Sequence, residues 1–417
     1  MTKYFGIDFG TSNSTIGCND GDKNFLIPVE LASTTIPSAV FFNFETNECL
    51  FGRLAMKEYL SEAEGRLMRS LKSILGTSLI EDTTPIGRKS ISFKEIIGCF
   101  IKELKTKAEI VNGSNIENIV LGRPVRFVDD DDNKDLYAQR QLEQIAKDQG
   151  FKNIIFQYEP VAAAIHYEQI ITKEEVALIV DIGGGTSDFS IVRLSPNRKS
   201  IDDRKDDILS NNGIHIGGTD FDKQFSFLNI MPHLGHKTLI KPKNLPVPNY
   251  IFSDLSTWHK INLLYNSKFE SLINDICKNS HEKHLIERLL KVIKQRKGHN
   301  LAIEVEKAKI SLTAGEYTNI DLSFIEKDLD IELSITQLNE SIGSMVEDIF
   351  LNIEDVIKNS KINPSDISTI FLTGGSTAIR LINESIISRF PKAKIVKGDV
   401  FGSVGLGLSI EAKRKFS

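Results

Sequence analysis

The sequence predicts an α/β protein made of two related halves with a ligand cleft between them. Three observations carry that reading: a length of 417 residues, enough for two to three domains; strand-type and helix-type patterns in alternation; and one glycine-bearing hairpin that occurs twice.

Lys3 to Ile16 reads as strand, turn and strand, with Gly6, Ile7, Phe9 and Gly10 around the acidic Asp8. Leu60, Ala63, Leu67, Leu71, Ile74 and Leu75 fall at helical spacing across Ser61 to Leu75. Ile96, Ile97, Phe100, Ile101 and Leu104 repeat that spacing across Phe93 to Ile110, so two helices are expected. Asn118 to Val128 gives a strand signal, Asp135 to Gly150 an amphipathic helix closed by glycine, and Ile154 to Phe156 another strand. Val176 to Leu194 is an apolar strand, a triple-glycine turn and a second strand. The polar stretch Ser195 to Asn212 reads as a loop with little core. Phe221 to Lys297 is less regular, helical near Leu285 to Ile293, and holds the single Trp258. Ile303 to Leu312 is helical, Asn319 to Ile335 alternates as strands, and Leu338 to Ile357 is a long helix. Ile370 to Gly375 is a strand running into a Gly-Gly turn, a helix follows to Phe390, and a glycine-punctuated helix ends the chain.

Aligned on their aspartates, Asp8-Phe9-Gly10-Thr11-Ser12-Asn13-Ser14-Thr15-Ile16 matches Asp181-Ile182-Gly183-Thr186-Ser187-Asp188-Phe189-Ser190-Ile191 once Gly184 and Gly185 are set aside as extra residues. Only glycine and small hydroxyl residues let a turn wrap its N–H groups closely around an oxyanion. The first turn offers Gly10, Thr11, Ser12 and Asn13, the second Gly183, Gly184, Gly185 and Thr186. Asp8 and Asp181 would stand beside the bound phosphates and repel them unless a divalent cation lay between, which implies magnesium. Either turn alone is as readily a plain hairpin; the pair is far more specific. Neither is a GxxxxGK[ST] loop nor a dinucleotide fingerprint opening a helix.

Hydrophobic content of 41%, charged content of 26% and a net charge of -5 argue against a nucleic-acid partner. Cys18, Cys49, Cys99 and Cys277 form no close pair, which suits reduced thiols in a cytoplasm. No run approaches the roughly 20 apolar residues of a membrane span, and no membrane partner is expected. Asp129 to Asp132 reads as a solvated helix start, His281 with His284 as a surface pair, and the basic Lys291 to His299 as a solvated face.

Tyr4 to Gly17, YFGIDFGTSNSTIG, and Ala177 to Val192, ALIVDIGGGTSDFSIV, resemble the two phosphate motifs of the heat-shock seventy chaperones, within the superfamily of actin, sugar kinases and these chaperones. Tyr158 to Tyr167, YEPVAAAIHY, is similar to a helix that hinges the lobes; Gly217 to Phe221, GGTDF, and Val305 to Thr313, VEKAKISLT, resemble segments around the ribose. Leu372 to Ile379, LTGGSTAI, resembles the adenosine loop and Gly398 to Gly407 the last hinge helix. The likeness spans nearly the whole chain and is weakest from about Lys223 to Leu301.

The resemblance implies an actin-like (ribonuclease H-like) ATPase fold, two lobes each with a mixed five-stranded sheet and flanking helices, and a nucleotide cleft between them. Lobe I would be residues 1–172 with an inserted subdomain at about 31–105, lobe II 173–397 with an insertion at about 217–340, and 398–417 a helix returning to lobe I. ATP or ADP, Mg2+ and potassium are the implied ligands. Asp8, Thr11, Ser12, Gly183, Gly184, Gly185 and Thr186 would hold phosphate, Asp181 and Asp188 the cations, and Lys72, in RLMRSLKSILG, would orient the attacking water, with Asp8, Glu159, Asp181 and Thr186 as the further catalytic candidates. By composition alone Lys72 reads as an exposed helix lysine. Gly217, Gly218, Glu306, Lys309, Thr313, Gly374, Gly375 and Ser376 would surround the nucleoside. By spacing, Glu306, Lys309 and Thr313 share a helical face, which is more often simply solvated.

Ile310 and Ala378 stand where the family stacks the adenine between two arginines. Each such contact is worth about 0.5 to 2 kcal/mol, so their loss would weaken adenine binding by up to roughly three orders of magnitude. An ending at Ser417 resembles the YegD-like branch, so the family's apolar linker and peptide-binding domain, and with them a peptide clamp, are not expected. The implied function is a slow magnesium-dependent ATPase whose lobes close, as a monomer. The alternatives are an actin-like filament protein, a small-molecule kinase and a nucleotide-dead scaffold.

Overall fold

A computed structural model describes the chain apart from residues 1, 62, 88, 130, 200, 202–203 and 399–401. Parts of the acidic run at 129–132 and of the segment 398–407 therefore lie outside the described residues. Two compact units are present: Met1–Gly218 with Asp348–Thr377 and Glu384–Ser417, and Thr219–Glu347 with Ala378–Asn383.

The first unit begins with β1 (Tyr4–Asp8), β2 (Asn13–Asn19), β3 (Asn24–Leu26), β4 (Thr35–Pro37), β5 (Ala39–Asn43) and β6 (Cys49–Phe51). Then come α1 (Gly52–Leu60), β7 (Gly65–Arg69), a 3-10 turn at Leu71–Ile74, β8 (Thr83–Ile86), β9 (Lys89–Ser92) and α2 (Phe93–Asn112). β10 (Asn118–Arg123), α3 (Asp132–Asp148), β11 (Asn153–Tyr158), α4 (Glu159–Glu168), β12 (Glu175–Ile182), β13 (Ser187–Leu194) and β14 (Ile208–Ile214) complete its first part.

In the second unit α5 (Gly218–Asn229), the hairpin β15 (Leu239–Ile240) and β16 (Leu245–Pro246), and the helices α6 (Asn249–Leu255), α7 (Trp258–Ile261), α8 (Ser267–Asn279), α9 (Lys283–Lys294) and α10 (Gly298–Ser311) follow. The hairpin β17 (Tyr317–Asp321) and β18 (Asp330–Ser334) leads into α11 (Ile335–Ser360), and β19 (Thr369–Thr373), α12 (Arg380–Arg389), β20 (Lys394–Lys397) and α13 (Ser403–Phe416) end the chain.

Two sheets of the first unit share one topology. The first runs β11-β10-β1-β2-β3, with the short β4 also beside β2; the second runs β20-β19-β12-β13-β14. In each an antiparallel hairpin, β1–β2 or β12–β13, is continued by two parallel strands on one side and an antiparallel strand on the other. The registers place Asp8 opposite Thr15 and Asp181 opposite Asp188, so the aligned aspartates occupy equivalent strand ends. β12 reads EVALIVDI with nearly every residue buried, as a central strand covered on both faces must.

One core packs α2 and α3 against the first sheet through Phe9, Phe100, Ile97 and Leu142. A second joins Ala162, Ala163 and Tyr167 of α4 to Ile179, Phe371, Val404 and Leu408. Small residues let α4 and α13 touch: a side chain on Gly407 would fall inside the van der Waals radius of the Ala162 carbonyl.

Three expectations need correction. Ser61 to Leu75 is not a helix: helix α1 precedes it, and β7 pairs antiparallel with β5 from Ala39 opposite Arg69 to Asn43 opposite Gly65. Leu67 and Met68 are both buried in this short strand, so a pattern that mimics helical spacing is satisfied by sheet pairing. Ser195 to Asn212 is not all loop, since β14 starts at Ile208 and continues the second sheet beside β13. The strand from Asn118 stops at Arg123 because Pro124 cannot donate to a ladder.

Candidate functional site

Both hairpin turns belong to the first unit, and one cavity is lined by Asp8, Gly10, Thr11, Ser12, Asn13, Lys72, Glu159, Asp181, Gly183, Gly184, Gly185, Thr186, Gly374 and Gly375. The turns approach closely. A β-carbon on Gly184 would lie 2.9 Å from Ser12 Cβ, and one on Gly185 would lie 2.6 Å from Thr11 Oγ1.

Each turn is braced. Gly183 N–H donates to the Thr186 carbonyl at 2.9 Å, and the Gly183 carbonyl accepts from Gly218 N–H at 2.9 Å and Ser376 Oγ at 3.0 Å. Gly217 packs so that a β-carbon would stand 2.6 Å from Gly184 C. In the first turn Gly10 N–H donates to Ser14 Oγ at 3.2 Å, Ser38 Oγ donates to the Gly10 carbonyl at 2.6 Å, and the two hydroxyls are 2.8 Å apart. Gly374 holds a φ of 80°, and a β-carbon there would stand 2.6 Å from Asp181 Oδ1. The Leu372 to Ile379 segment thus touches the second turn.

Lys72 is not an exposed helix lysine. It sits in the 3-10 turn after Ser70, whose φ of 59° redirects the chain, and only 5% of it is exposed. Its ammonium lies 2.5 Å from Glu159 Oε1. Glu159 opens α4, with Pro160 next, so the helix start that the EP pair predicts also aims a carboxylate into the site.

Charge is crowded here. Burial first, then the negative charge of Glu159, pushes the Asp8 carboxyl up to about 7. Burial and Glu159 likewise raise Asp188 to about 7, against hydrogen bonds from Thr186 and Val125 N–H that pull it down. Burial first, then the charges of Glu159, Asp188 and Asp8, hold Asp181 well above the usual carboxylate range. Burial works against the Lys72 ammonium, but Glu159 and Asp8 outweigh it and keep it charged.

Among the described residues no three His, Cys, Asp or Glu side chains converge tightly enough to ligate one ion directly. Asp8, Asp181 and Asp188 nonetheless crowd carboxyl groups whose ionised forms a single lysine would not balance. Such a set suits a cation that keeps several waters and takes few carboxylates directly.

The remaining sequence candidates lie in the second unit. Lys309 gives its ammonium to Asp222 at 2.8 Å, both side chains being about nine-tenths buried at 10% and 8% exposure. Thr313 lies beyond the last residue of α10, Ser311, and its hydroxyl donates to the Ile310 carbonyl at 2.7 Å, so it does not share a helical face with Glu306 and Lys309. Ile310 is 58% exposed, and Ala378 is exposed.

Sequence reading missed Ser14, Ser38, Thr15, Thr373 and Val404, the last three of which line the cavity. Ser14 and Thr15 sit inside the quoted hairpin, Thr373 inside LTGGSTAI and Val404 inside Gly398 to Gly407, whereas nothing in the local pattern marks Ser38. Among the described residues no helix is long and apolar enough to cross a membrane.

A protein-family model described as Hsp70 protein matches residues 4–234 and 266–412. The match reaches nearly from end to end and leaves out 235–265, which holds β15, β16, α6 and α7.

Proposed function

The chain belongs to the Hsp70 family, whose members bind nucleotide, and from that premise we propose that it is a magnesium-dependent ATP-binding protein that hydrolyses ATP slowly. The observation that carries the reading is the cavity shared by the Gly10 and Gly184 turns, which Lys72, Glu159, Asp8 and Asp181 also line.

The backbone N–H groups of Thr11, Ser12 and Asn13 and of Gly184, Gly185 and Thr186 bind phosphate oxygens from two sides. Magnesium, when bound, neutralises charge on the phosphates. Lys72, held by Glu159, and the carboxylates of Asp8 and Asp181 orient a water for in-line attack on the γ-phosphorus; the bond to the β-phosphate oxygen breaks, leaving ADP and inorganic phosphate. Phosphoryl transfer gains mainly from positioning and charge neutralisation, so without an added arginine finger turnover is slow. Gly217, Gly218, Gly374, Gly375 and Ser376 form the nucleoside side in this reading. Closure of the two halves, 1–172 and 173–397, about α4 and α13 would couple nucleotide state to shape.

Calorimetry with ATP, with and without magnesium, tests the proposal. Magnesium-dependent binding accompanied by slow phosphate release is expected, and no binding at millimolar ATP overturns it.

A further inference from the structure

We infer that Arg123 is a positioning residue for Asp188 and for the start of α4; the inference rests on the proposed cation role of Asp188. Arg123 is the last residue of β10, is 7% exposed, and lies opposite Tyr158 in the parallel register with β11. Its Nε donates to the Pro124 carbonyl at 2.9 Å, and one terminal nitrogen donates both to the Val125 carbonyl at 3.1 Å and to Asp135 Oδ2 at 2.7 Å. The other terminal nitrogen donates to Gln139 Oε1. The guanidinium lies 5.1 Å from the Phe127 ring centroid and 5.3 Å from that of Tyr158.

The bend it grips is the one that reaches the site. Val125 N–H donates to Asp188 Oδ1 at 2.5 Å, and Phe127 N–H donates to the other oxygen of Asp135 at 2.6 Å. Pro124 supplies no N–H, so this irregular segment is fixed from its carbonyl side by one guanidinium. Tyr158, under the same guanidinium, is the residue immediately before Glu159, the partner of Lys72. A single planar fork therefore sets the ends of two adjacent strands, one holding Asp188 and the other Glu159. A lysine ammonium has the charge for Asp135 but cannot span both carbonyls and stack on two rings.

Arg123→Lys and Arg123→Ala in the full chain test this, with two readouts. The first is hydrogen exchange at Val125 in the nucleotide-free protein, where both variants should exchange at least about tenfold faster than the parent. The second is Mn2+ affinity in the presence of ADP, which should fall by about 10- to 100-fold while metal-free ADP affinity holds, as for other groups that orient metal-binding carboxylates. Arg123→Lys keeps a cation beside Asp135 and guards against a folding failure of the alanine variant. Unchanged exchange overturns the inference, as does faster exchange with unchanged Mn2+ affinity. If the parent protein itself binds no Mn2+ with ADP, the nucleotide reading falls, and Val125 exchange alone decides whether Arg123 holds the bend.

Discussion

Gly184 and Ser12 belong to different hairpins 172 positions apart in sequence, yet a methyl group on Gly184 would stand 2.9 Å from Ser12 Cβ. Nothing larger than hydrogen fits there. The duplicated turns therefore converge, and only the absence of a side chain lets them approach so closely.

Gly184→Ala should force the turns apart. Overpacking costs about 1 to 3 kcal/mol, so nucleotide affinity should drop by roughly ten- to hundredfold if the strain falls on the bound geometry. Calorimetry beside a melting curve separates that from global loss: a variant that melts early but binds normally would contradict the expected outcome.

Lys72→Met should remove the one ammonium among Asp8, Glu159, Asp181 and Asp188. Breaking a buried ion pair from one side costs about 3 to 5 kcal/mol, and Glu159→Gln in the same chain should restore part of it. Phosphate release should fall by at least about a hundredfold in the single variant, comparable to the loss of an electrostatic group in other active sites. Retained turnover would show that Lys72 orients no water.

The pH response has a definite sign. Asp8 and Asp188 are raised from 3.8 to about 7, so the folded, metal-free protein holds protons that the unfolded chain gives up. Their stabilising contribution is complete below the unfolded value and is lost as pH rises through about 7, a window of about 4 to 7. Magnesium nucleotide favours the ionised carboxylates, so its binding should tighten over the same window and release protons. Titrations near pH 6.5 in buffers of different ionisation enthalpy read this directly, and proton uptake instead of release would reverse the assignment.

Ala378→Arg tests the base side. If the adenine lies beside Ala378 and Ile310, a restored cation over its face should improve ATP affinity by about 2- to 30-fold, the equivalent of about 0.5 to 2 kcal/mol. Equal affinities for the variant and parent would move the base elsewhere.

Much of the architecture was legible because its signal is local. The Asp-Gly turns, the apolar run of β12 and the EP start of α4 each follow from a few neighbouring residues whose backbone demands are specific. The Ser61 to Leu75 segment was misread because Leu67, Leu71 and Leu75 fit a helical period equally well, and only pairing with β5 selects the strand. β14 was hidden among the charged residues around it, since an edge strand needs little apolar pattern when its neighbour supplies the ladder.

By itself the sequence determined the paired turns, the hairpins that carry them and the family of the fold, because backbone conformation near glycine and small residues is set at short range. Tertiary structure alone decided that Lys72 is buried against Glu159, that Ser38 braces the first turn, and that the bend at Val125 reaches Asp188. These contacts join residues distant along the chain, and their strength comes from exclusion of water, which no local pattern of residues encodes.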